Sequence, residues 1–202
     1  MQQTELFSAG PLVLVDDAEG GIRYEPHVLD SVTAGHWLKH TLSDVAWSSQ
    51  RRKMYEREIS VPRLLAGYRL GAAGLPKPID DAFAFVRQFV GVPFNSVGLN
   101  LYRNGCDSVA LHNDKTERLV VGAPIAILSL GQTRRMLIRE KSGRRRSVSL
   151  DVEAGSLLMM SHACQFTHDH GIPKEQDEIG PRVSLAFRYL ALDRDDQTDS
   201  SP

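Results

Sequence analysis

The sequence predicts a mainly β fold, a double-stranded β-helix or jelly roll with flanking helices. Short apolar runs follow one another through the second half of the chain, separated by Gly, Asn, Asp, Ser or Pro, as in β-sandwiches and barrels. The first half instead contains stretches in which apolar residues recur at helical spacing. A chain of 202 residues with 42% hydrophobic residues can bury one such core without disulfide support.

The N-terminal part is predicted to combine a strand with two helices. Leu12–Val15 is rich in β-branched residues and predicts a short strand. The apolar spacing from Asp30 to Leu42 predicts a first helix. A second helix is expected to start near Asp80-Asp81, which can cap it, and to continue to Val90. The glycines and prolines from Gly67 to Pro78 predict a loop before it.

The second half predicts a series of strands that would form the jelly roll. These are Val97–Tyr102, Val109–His112, Ile125–Leu130, Met136–Arg139, Val148–Val152, Leu157–Met160 and Val183–Leu190. We expect one domain over residues 1–202. Its parts would be N-terminal helices in 1–92, a jelly-roll core in 93–192, and an acidic, Ser-rich and disordered tail in 193–202.

Composition argues against a membrane-spanning or secreted protein, but it does not indicate whether the protein binds nucleic acid. No apolar run approaches the ~20 residues of a membrane-spanning helix, and the N-terminus lacks a signal-peptide pattern. Because the chain has only two cysteines, we expect no disulfide framework. We therefore expect a cytoplasmic location. The net charge of −1 gives no indication of a nucleic-acid partner, so local charge has to be considered.

A candidate metal site begins at His112-Asn113-Asp114, the one His-x-Asp in the chain. Residues i and i+2 of a strand point to the same side, so both side chains can contact one ion. A third ligand could come from His168 or His170. Two histidines and one carboxylate form the usual non-haem Fe(II) site. The motif alone is weak, because a capped turn with an exposed histidine would have the same sequence.

A candidate anion site lies on the predicted strand near the C-terminus. Arg182, Ser184 and Arg188 share one face of it, and Asn100 and Tyr102 share a face of another strand. Arginines that face the inside of a barrel are costly unless an anion pairs with them. Such a face suits a small dicarboxylate, whereas a solvated pair of arginines is the alternative.

The sequence resembles the AlkB-type Fe(II)/2-oxoglutarate dioxygenases, which oxidatively demethylate alkylated nucleobases. The resemblance covers about residues 60 to 190, and several motifs occur in the family's order. They are Val61–Arg63, Pro93–Asn95, Asn100–Gly105, His112–Lys115, Pro124–Ala126, Gly155–Met160, His170–Pro173 and Pro181–Arg188.

The resemblance implies a role for each matching residue. His112, Asp114 and His170 would bind Fe(II), with His170 preferred over His168 because it precedes Gly-Ile-Pro. Arg182 would pair with a carboxylate of 2-oxoglutarate. The residues that would contact this cosubstrate are Asn100, Tyr102, Arg182, Ser184 and Arg188. Ser184 and Ala186 are smaller than the family's common Asn and Thr, which would loosen the pocket.

Basic clusters give the near-neutral chain a possible contact with phosphates. One is a hairpin-like region containing Arg134, Arg135, Arg139, Lys141, Arg144, Arg145 and Arg146, and the other is Arg51-Arg52-Lys53. A solvated hairpin tip is the alternative. In the family the Val61–Arg63 region belongs to a nucleotide-recognition lid. The substrate contacts we expect are Arg63, Tyr68, Lys115, Thr116, Glu117, Arg139, Arg144, Arg145 and Arg146.

Two of these positions depart from the family pattern. Thr116 stands where some members have an acid that contacts the flipped base. Tyr68 is the one aromatic residue between Arg63 and Phe83, a region that is often rich in aromatics. Base selectivity and stacking are therefore left open.

The function expected is oxidative demethylation of 1-methyladenine- or 3-methylcytosine-type bases in DNA, with RNA as a further substrate. Fe(II), 2-oxoglutarate and O2 would be used, and formaldehyde, succinate and CO2 released. The protein is expected to act as a monomer. One alternative is an oxygenase that acts on a protein side chain or a small metabolite. Another is a non-catalytic jelly-roll module that binds nucleic acid or a structural metal.

Overall fold

The computed structural model describes residues 10–54, 57–143, 146–175 and 179–191. Its strands are β1 (Leu12–Val15), β2 (Ile22–Glu25), β3 (Ser48–Met54), β4 (Arg57–Arg69), β5 (Ser96–Tyr102), β6 (Val109–His112), β7 (Ile125–Gly131), β8 (Arg134–Glu140), β9 (Ser147–Val152), β10 (Leu157–Met160), β11 (His168–Ile172) and β12 (Arg182–Arg188). Its helices are α1 (Ser31–Asp44), α2 (Lys77–Val90) and the single turn α3 (Cys164–Thr167).

The strands form two antiparallel sheets, which confirms the predicted jelly roll. The larger sheet has the order β1-β2-β10-β7-β12-β5-β4-β3, and the smaller has the order β6-β11-β8-β9. Strands that are distant in sequence are neighbours in both sheets, as the crossing connections of a jelly roll require. β12 lies in the middle of the larger sheet, between β5 and β7.

The two long helices contribute to a core on the outer face of the larger sheet. The Asp30 side chain caps α1 by accepting a hydrogen bond from the Thr33 backbone N–H at 2.9 Å. α2 contributes Phe83, which is fully buried and packs edge-to-face on Phe187 of β12. The odd-numbered residues of β12 therefore belong to this helix-side core.

The even-numbered residues of β12 point between the two sheets. Ala186 belongs to a second core cluster with Tyr102, Ile127, Met136 and Ile172. Arg182 and Ser184 are also buried on this face. The alternation along β12 thus places the predicted polar face inside the jelly roll, and the solvated alternative for Arg182 is wrong.

Several local predictions were wrong. α2 starts at Lys77, after Pro76, so Asp80 lies in its first turn and does not cap it. β2, β3, β4 and β11 were missed, and because β4 continues to Arg69 the predicted loop begins later. The His168–Ile172 segment, which contains the predicted ligand His170, is itself a strand. The predicted tail, 193–202, lies outside the described residues. Among the described helices, none is long and apolar enough to cross a membrane.

Candidate active site

The metal-ligating residues come from two neighbouring strands of the smaller sheet. β6 and β11 are antiparallel, and their register pairs His112 directly with His170. A Cβ on Gly171 would lie 2.9 Å from the Val109 carbonyl oxygen, so a glycine is required where the strands approach. The two imidazole rings consequently lie 4.5 Å apart between centroids.

The three predicted iron ligands form one cluster. The candidate ligand atoms of His112, Asp114 and His170 all lie within 4.8 Å of one another. His112 Nδ1 is 2.9 Å from the Ala110 carbonyl oxygen, to which it can only donate, so Nε2 is left as the ligand atom. Two imidazoles and a carboxylate grouped in this way fit Fe(II). His168 instead contacts Thr167, at 2.9 Å from its hydroxyl.

Asp114 is held by Arg188 from the larger sheet. Arg188 donates to Asp114 Oδ2 from Nη2 at 2.7 Å and from Nε at 3.2 Å. Asp114 Oδ1 faces His112 Nε2 at 3.9 Å, so one carboxylate oxygen remains available to a metal. Burial opposes ionisation of this carboxyl, but the Arg188 guanidinium outweighs it, and the pKa of Asp114 is lowered.

His170 is the buried member of the cluster, with 7% of its surface exposed. Burial lowers its pKa to about 4, and the neighbouring His112 acts in the same direction. The imidazole of His170 is therefore neutral near pH 7, which is the form that binds a metal.

A cavity of about 890 Å³ opens beside this cluster, between the two sheets. Arg182 lines it and is 1% exposed. Its Nη2 donates to Ser129 Oγ at 3.0 Å, whereas Nε and Nη1 are buried without a hydrogen-bond partner among the described residues. Burial lowers the pKa of Arg182, so the charge is costly there. Two unpaired donors of a buried guanidinium match one carboxylate of 2-oxoglutarate.

Asn100 and Tyr102 of β5 line the same cavity, opposite Ser184 and Arg182 of β12 in the sheet register. Asn100 Oδ1 accepts a hydrogen bond from Arg63 Nε at 2.7 Å, which fixes the orientation of the amide. The amide nitrogen of Asn100 is then directed to Ser184, with a separation of 3.5 Å from Oγ. The predicted cosubstrate residues are therefore brought together.

Arg63 lines the cavity from a strand of the larger sheet, whereas it was expected in a lid over the site. It is part of β4 in the larger sheet, and it also donates to the Ser108 carbonyl oxygen at 3.4 Å. Arg63 thus lines the end of the cavity that contains Tyr102 and Arg182, away from the metal ligands in the strand register. A direct contact between Arg63 and the substrate base stays a prediction.

The other expected substrate residues are placed differently from one another. Lys115 is exposed and lines the cavity next to Asp114, whereas Thr116 and Glu117 lie outside the described lining. Tyr68 packs with the helix-side core on the opposite face of β4. Tyr68 therefore does not face the cavity, and its expected contact with the substrate is not supported.

The predicted basic hairpin exists as β8 and β9, but several of its charges are engaged within the protein. Arg134 is 1% exposed and donates to the carbonyl oxygens of Asn104, Asp107 and Pro173 at 2.8 to 3.1 Å. Its inclusion in a phosphate-binding cluster was wrong. Arg139 pairs with Asp169 at 3.1 Å.

At the tip of this hairpin, Arg146 is exposed, as a phosphate contact requires. Arg144 and Arg145 lie outside the described residues, and so do the side chains of Arg51-Arg52-Lys53. Arg146 is therefore a described member of the cluster for which a phosphate contact stays a prediction.

Sequence reasoning missed residues that support the site. Gln165 accepts a hydrogen bond from the Asp114 backbone N–H, and Lys141 donates to Asn113. Neither has a spacing that relates it to the metal ligands. Ser129 had a detectable signal, because it is the one polar residue in the apolar run Ile125–Leu130.

Comparison with known proteins agrees with this geometry. The family model of the 2OG-Fe(II) oxygenase superfamily matches residues 72–188. The chain therefore belongs to the 2OG-Fe(II) oxygenase superfamily, and the predicted AlkB-type resemblance is confirmed.

The chain is similar to curated proteins named as a DNA oxidative demethylase and an alkB homolog. The chain is 35% identical over 163 residues to human DNA oxidative demethylase ALKBH2, covering 70% of this chain and 62% of the relative. It is 37% identical over 187 residues to mouse alpha-ketoglutarate-dependent dioxygenase alkB homolog 3, covering 83% and 65%. The chain thus spans less than two thirds of the length of these relatives.

Solved structures share the fold. The structure of OsALKBH1 matches with a TM-score of 0.57 and 15% identity, covering 84% of this chain and 98% of that one. A 2OG-Fe(II) oxygenase family oxidoreductase from Burkholderia pseudomallei also matches with a TM-score of 0.57, at 11% identity, covering 86% and 88%.

Proposed function

We propose that this protein is an Fe(II)/2-oxoglutarate-dependent oxidative demethylase of N-alkylated nucleobases in DNA, with RNA as a further substrate. The observation that carries the proposal is the pairing, in one cavity, of the His112–Asp114–His170 cluster with the unpaired donors of Arg182. Relatives named as a DNA oxidative demethylase and an alkB homolog support the choice of substrate.

Separate residues would bind the metal and the cosubstrate. His112, Asp114 and His170 would hold Fe(II), and Arg182 would pair with a carboxylate of 2-oxoglutarate, assisted by Asn100. When bound together with O2, these cofactors supply the oxidation that hydroxylates an N-methyl group. Formaldehyde then leaves the hydroxylated base, while 2-oxoglutarate is converted to succinate and CO2.

The depth of the site imposes a condition on the substrate. His170 is buried and Asp114 is half-buried, so a base that remains stacked in a duplex cannot bring its methyl group to them. The base has to leave the stack and enter the cavity. The exposure of Lys115 at the cavity lining supports a contact with the entering nucleotide.

The surface that we propose for the rest of the nucleic acid is the tip of the β8–β9 hairpin. Arg146 is exposed there, and Arg144 and Arg145 precede it in sequence. Arginines at a hairpin tip can contact phosphates without reading base sequence. Binding as a monomer and a cytoplasmic location stay predictions.

A product assay tests the proposed function. Purified protein with Fe(II), ascorbate and 2-oxoglutarate is given single- and double-stranded oligonucleotides that carry 1-methyladenine or 3-methylcytosine. We expect mass spectrometry to show loss of 14 mass units from the base, roughly the mass of one methylene, since a methyl group is replaced by hydrogen. No loss above a His112→Ala control would refute the proposal.

A second experiment separates nucleic acid from a protein or metabolite substrate. Arg144, Arg145 and Arg146 are replaced together by Ser, and binding to an oligonucleotide is measured over a range of salt concentrations. We expect weaker binding and a salt slope that is smaller by about 2 to 3, because each phosphate contact contributes roughly 0.9. Decarboxylation of 2-oxoglutarate without substrate should be unchanged. Unchanged oligonucleotide binding would favour the other substrate classes.

A further inference from the structure

The metal-binding carboxylate sits on a segment that no strand supports. β6 ends at His112, and Asn113 and Asp114 follow it without regular secondary structure. Arg188 holds the carboxylate of Asp114 from the larger sheet, but this contact fixes only the end of the side chain. The backbone of Asp114 therefore needs separate support if the carboxylate is to keep one position relative to the two histidines.

Gln165 gives that support from α3. Its Oε1 accepts a hydrogen bond from the Asp114 backbone N–H at 2.9 Å, and Gln165 is 1% exposed. Because the backbone N–H can only donate, the amide has to direct its oxygen at Asp114. The amide nitrogen is then buried without a partner among the described residues. An arrangement that leaves a buried donor unsatisfied is costly, which indicates that the bond to Asp114 is retained for the metal site.

Lys141 ties the same segment to α3. Its Nζ donates to Asn113 Oδ1 at 2.9 Å and to the Gln165 carbonyl oxygen at 2.7 Å. Its own backbone N–H donates to the Thr167 carbonyl oxygen at 2.9 Å, so Lys141 is fixed at both ends. A lysine whose ammonium makes two short hydrogen bonds inside the protein is poorly placed to contact a phosphate.

We propose that Gln165 and Lys141 form a clamp that positions Asp114 for metal binding. In this clamp Gln165 holds the Asp114 backbone, and Lys141 holds both Asn113 and the turn that carries Gln165. Lys141 then serves the metal centre, although it belongs to the basic hairpin. The proposal depends on the metal site alone and holds for any substrate of this protein.

The first test replaces Gln165 by Met, which keeps its volume and removes the acceptor. Binding of Co(II) to the metal-free protein is measured by titration of its visible absorption, and the melting temperature is measured without metal. We expect the dissociation constant to rise by about 10-fold to 100-fold, the usual effect of losing a group that orients a ligand. The melting temperature should change little, because one donor without a partner, the Gln165 amide nitrogen, is exchanged for another, the Asp114 backbone N–H.

Two outcomes would overturn the role of Gln165. One is a Co(II) dissociation constant within twofold of the unsubstituted protein. The other is that Gln165→Met lowers both the melting temperature and the Co(II) affinity, and that Gln165→Glu lowers them equally. Glutamate keeps an acceptor oxygen, so a positioning role predicts that it retains the affinity. Recovery of affinity with Glu would support the positioning role.

The second test uses Lys141→Met with Arg135→Met as the matched control. Arg135 lies on the same hairpin, is exposed, and contacts Asp151 at 3.9 Å. We expect Lys141→Met to weaken Co(II) binding at least several-fold and to leave the salt dependence of oligonucleotide binding unchanged, whereas Arg135→Met should leave Co(II) binding unchanged. A salt slope reduced by about 1, with unchanged Co(II) affinity, would identify Lys141 as a phosphate contact and overturn the proposal.

Discussion

A substitution at Arg182 should change cosubstrate binding without lowering the stability of the protein. Its guanidinium is 1% exposed, and two of its donors have no partner among the described residues. Replacing Arg182 with Met keeps most of the side-chain length and removes the buried charge. We expect the substitution to abolish the cosubstrate site and to leave the empty protein equally stable or more stable.

The magnitudes follow from the contacts. Exchanging a buried charge for a packed apolar group is often neutral or stabilising by about 1 to 4 kcal/mol. Each charge-assisted hydrogen bond to the cosubstrate is worth about 1.5 to 3 kcal/mol, so two such bonds account for about 3 to 6 kcal/mol. The affinity for 2-oxoglutarate should therefore fall by a factor on the order of 100 to 10,000.

Thermal unfolding with and without 2-oxoglutarate measures both effects. At a ligand concentration of roughly 100 times its dissociation constant, the unsubstituted protein gains about 2.7 kcal/mol. For a chain of this size that gain raises the melting temperature by about 5 to 10 °C. The Arg182→Met protein should show no such rise and an unchanged or higher melting temperature without ligand. A clearly lower melting temperature without ligand, or a retained rise with it, would refute the reasoning.

Other predictions concern the surroundings of the metal site. Gly98→Ala places a Cβ 3.1 Å from Arg188 Nη1 and should weaken Co(II) binding about 10-fold by disturbing the arginine, whereas Gly67→Ala, whose Cβ meets only a carbonyl oxygen at 3.7 Å, should not. His170 has a pKa of about 4 in the folded protein and 6.5 in the unfolded chain. Between pH 4 and pH 6.5 the unfolded state therefore binds a proton at this imidazole that the folded state does not bind. Denaturant titrations of the metal-free protein should therefore show stability falling by up to about 1.4 kcal/mol per unit as the pH drops from 6.5 towards 4; a flat profile would contradict the burial of this imidazole. Arg134→Met should lower the free energy of unfolding by about 3 kcal/mol or more and leave the salt slope of oligonucleotide binding unchanged, and a reduced slope would return this arginine to the phosphate-binding surface.

Local patterns predicted the fold and two of the three metal ligands, because these depend on short-range rules. The alternation along β12 is visible in the sequence, and it decides that Arg182 and Ser184 share the inner face. His112 and Asp114 are two residues apart. His170 was chosen over His168 through the family resemblance, and the strand register, which pairs it with His112, agrees.

Contacts between distant segments could not be predicted in the same way. Arg134 looked like a member of a basic cluster, and only the fold brings three carbonyl oxygens from other loops to its guanidinium. Tyr68 was expected at the substrate, but the register of β4 turns it towards the helix-side core. Gln165 is separated from Asp114 by 51 positions, and no spacing rule connects a helix turn to the end of a strand.

The central claim is that one cavity couples oxidation of 2-oxoglutarate to removal of a methyl group from a nucleobase. The direct measurement is the amount of succinate and formaldehyde formed in one reaction with an oligonucleotide whose 1-methyladenine carries an isotopically labelled methyl group. We predict that labelled formaldehyde and succinate rise together, close to one for one, and that neither forms with Asp114→Ala. Succinate without labelled formaldehyde on every methylated oligonucleotide tested would contradict the claim.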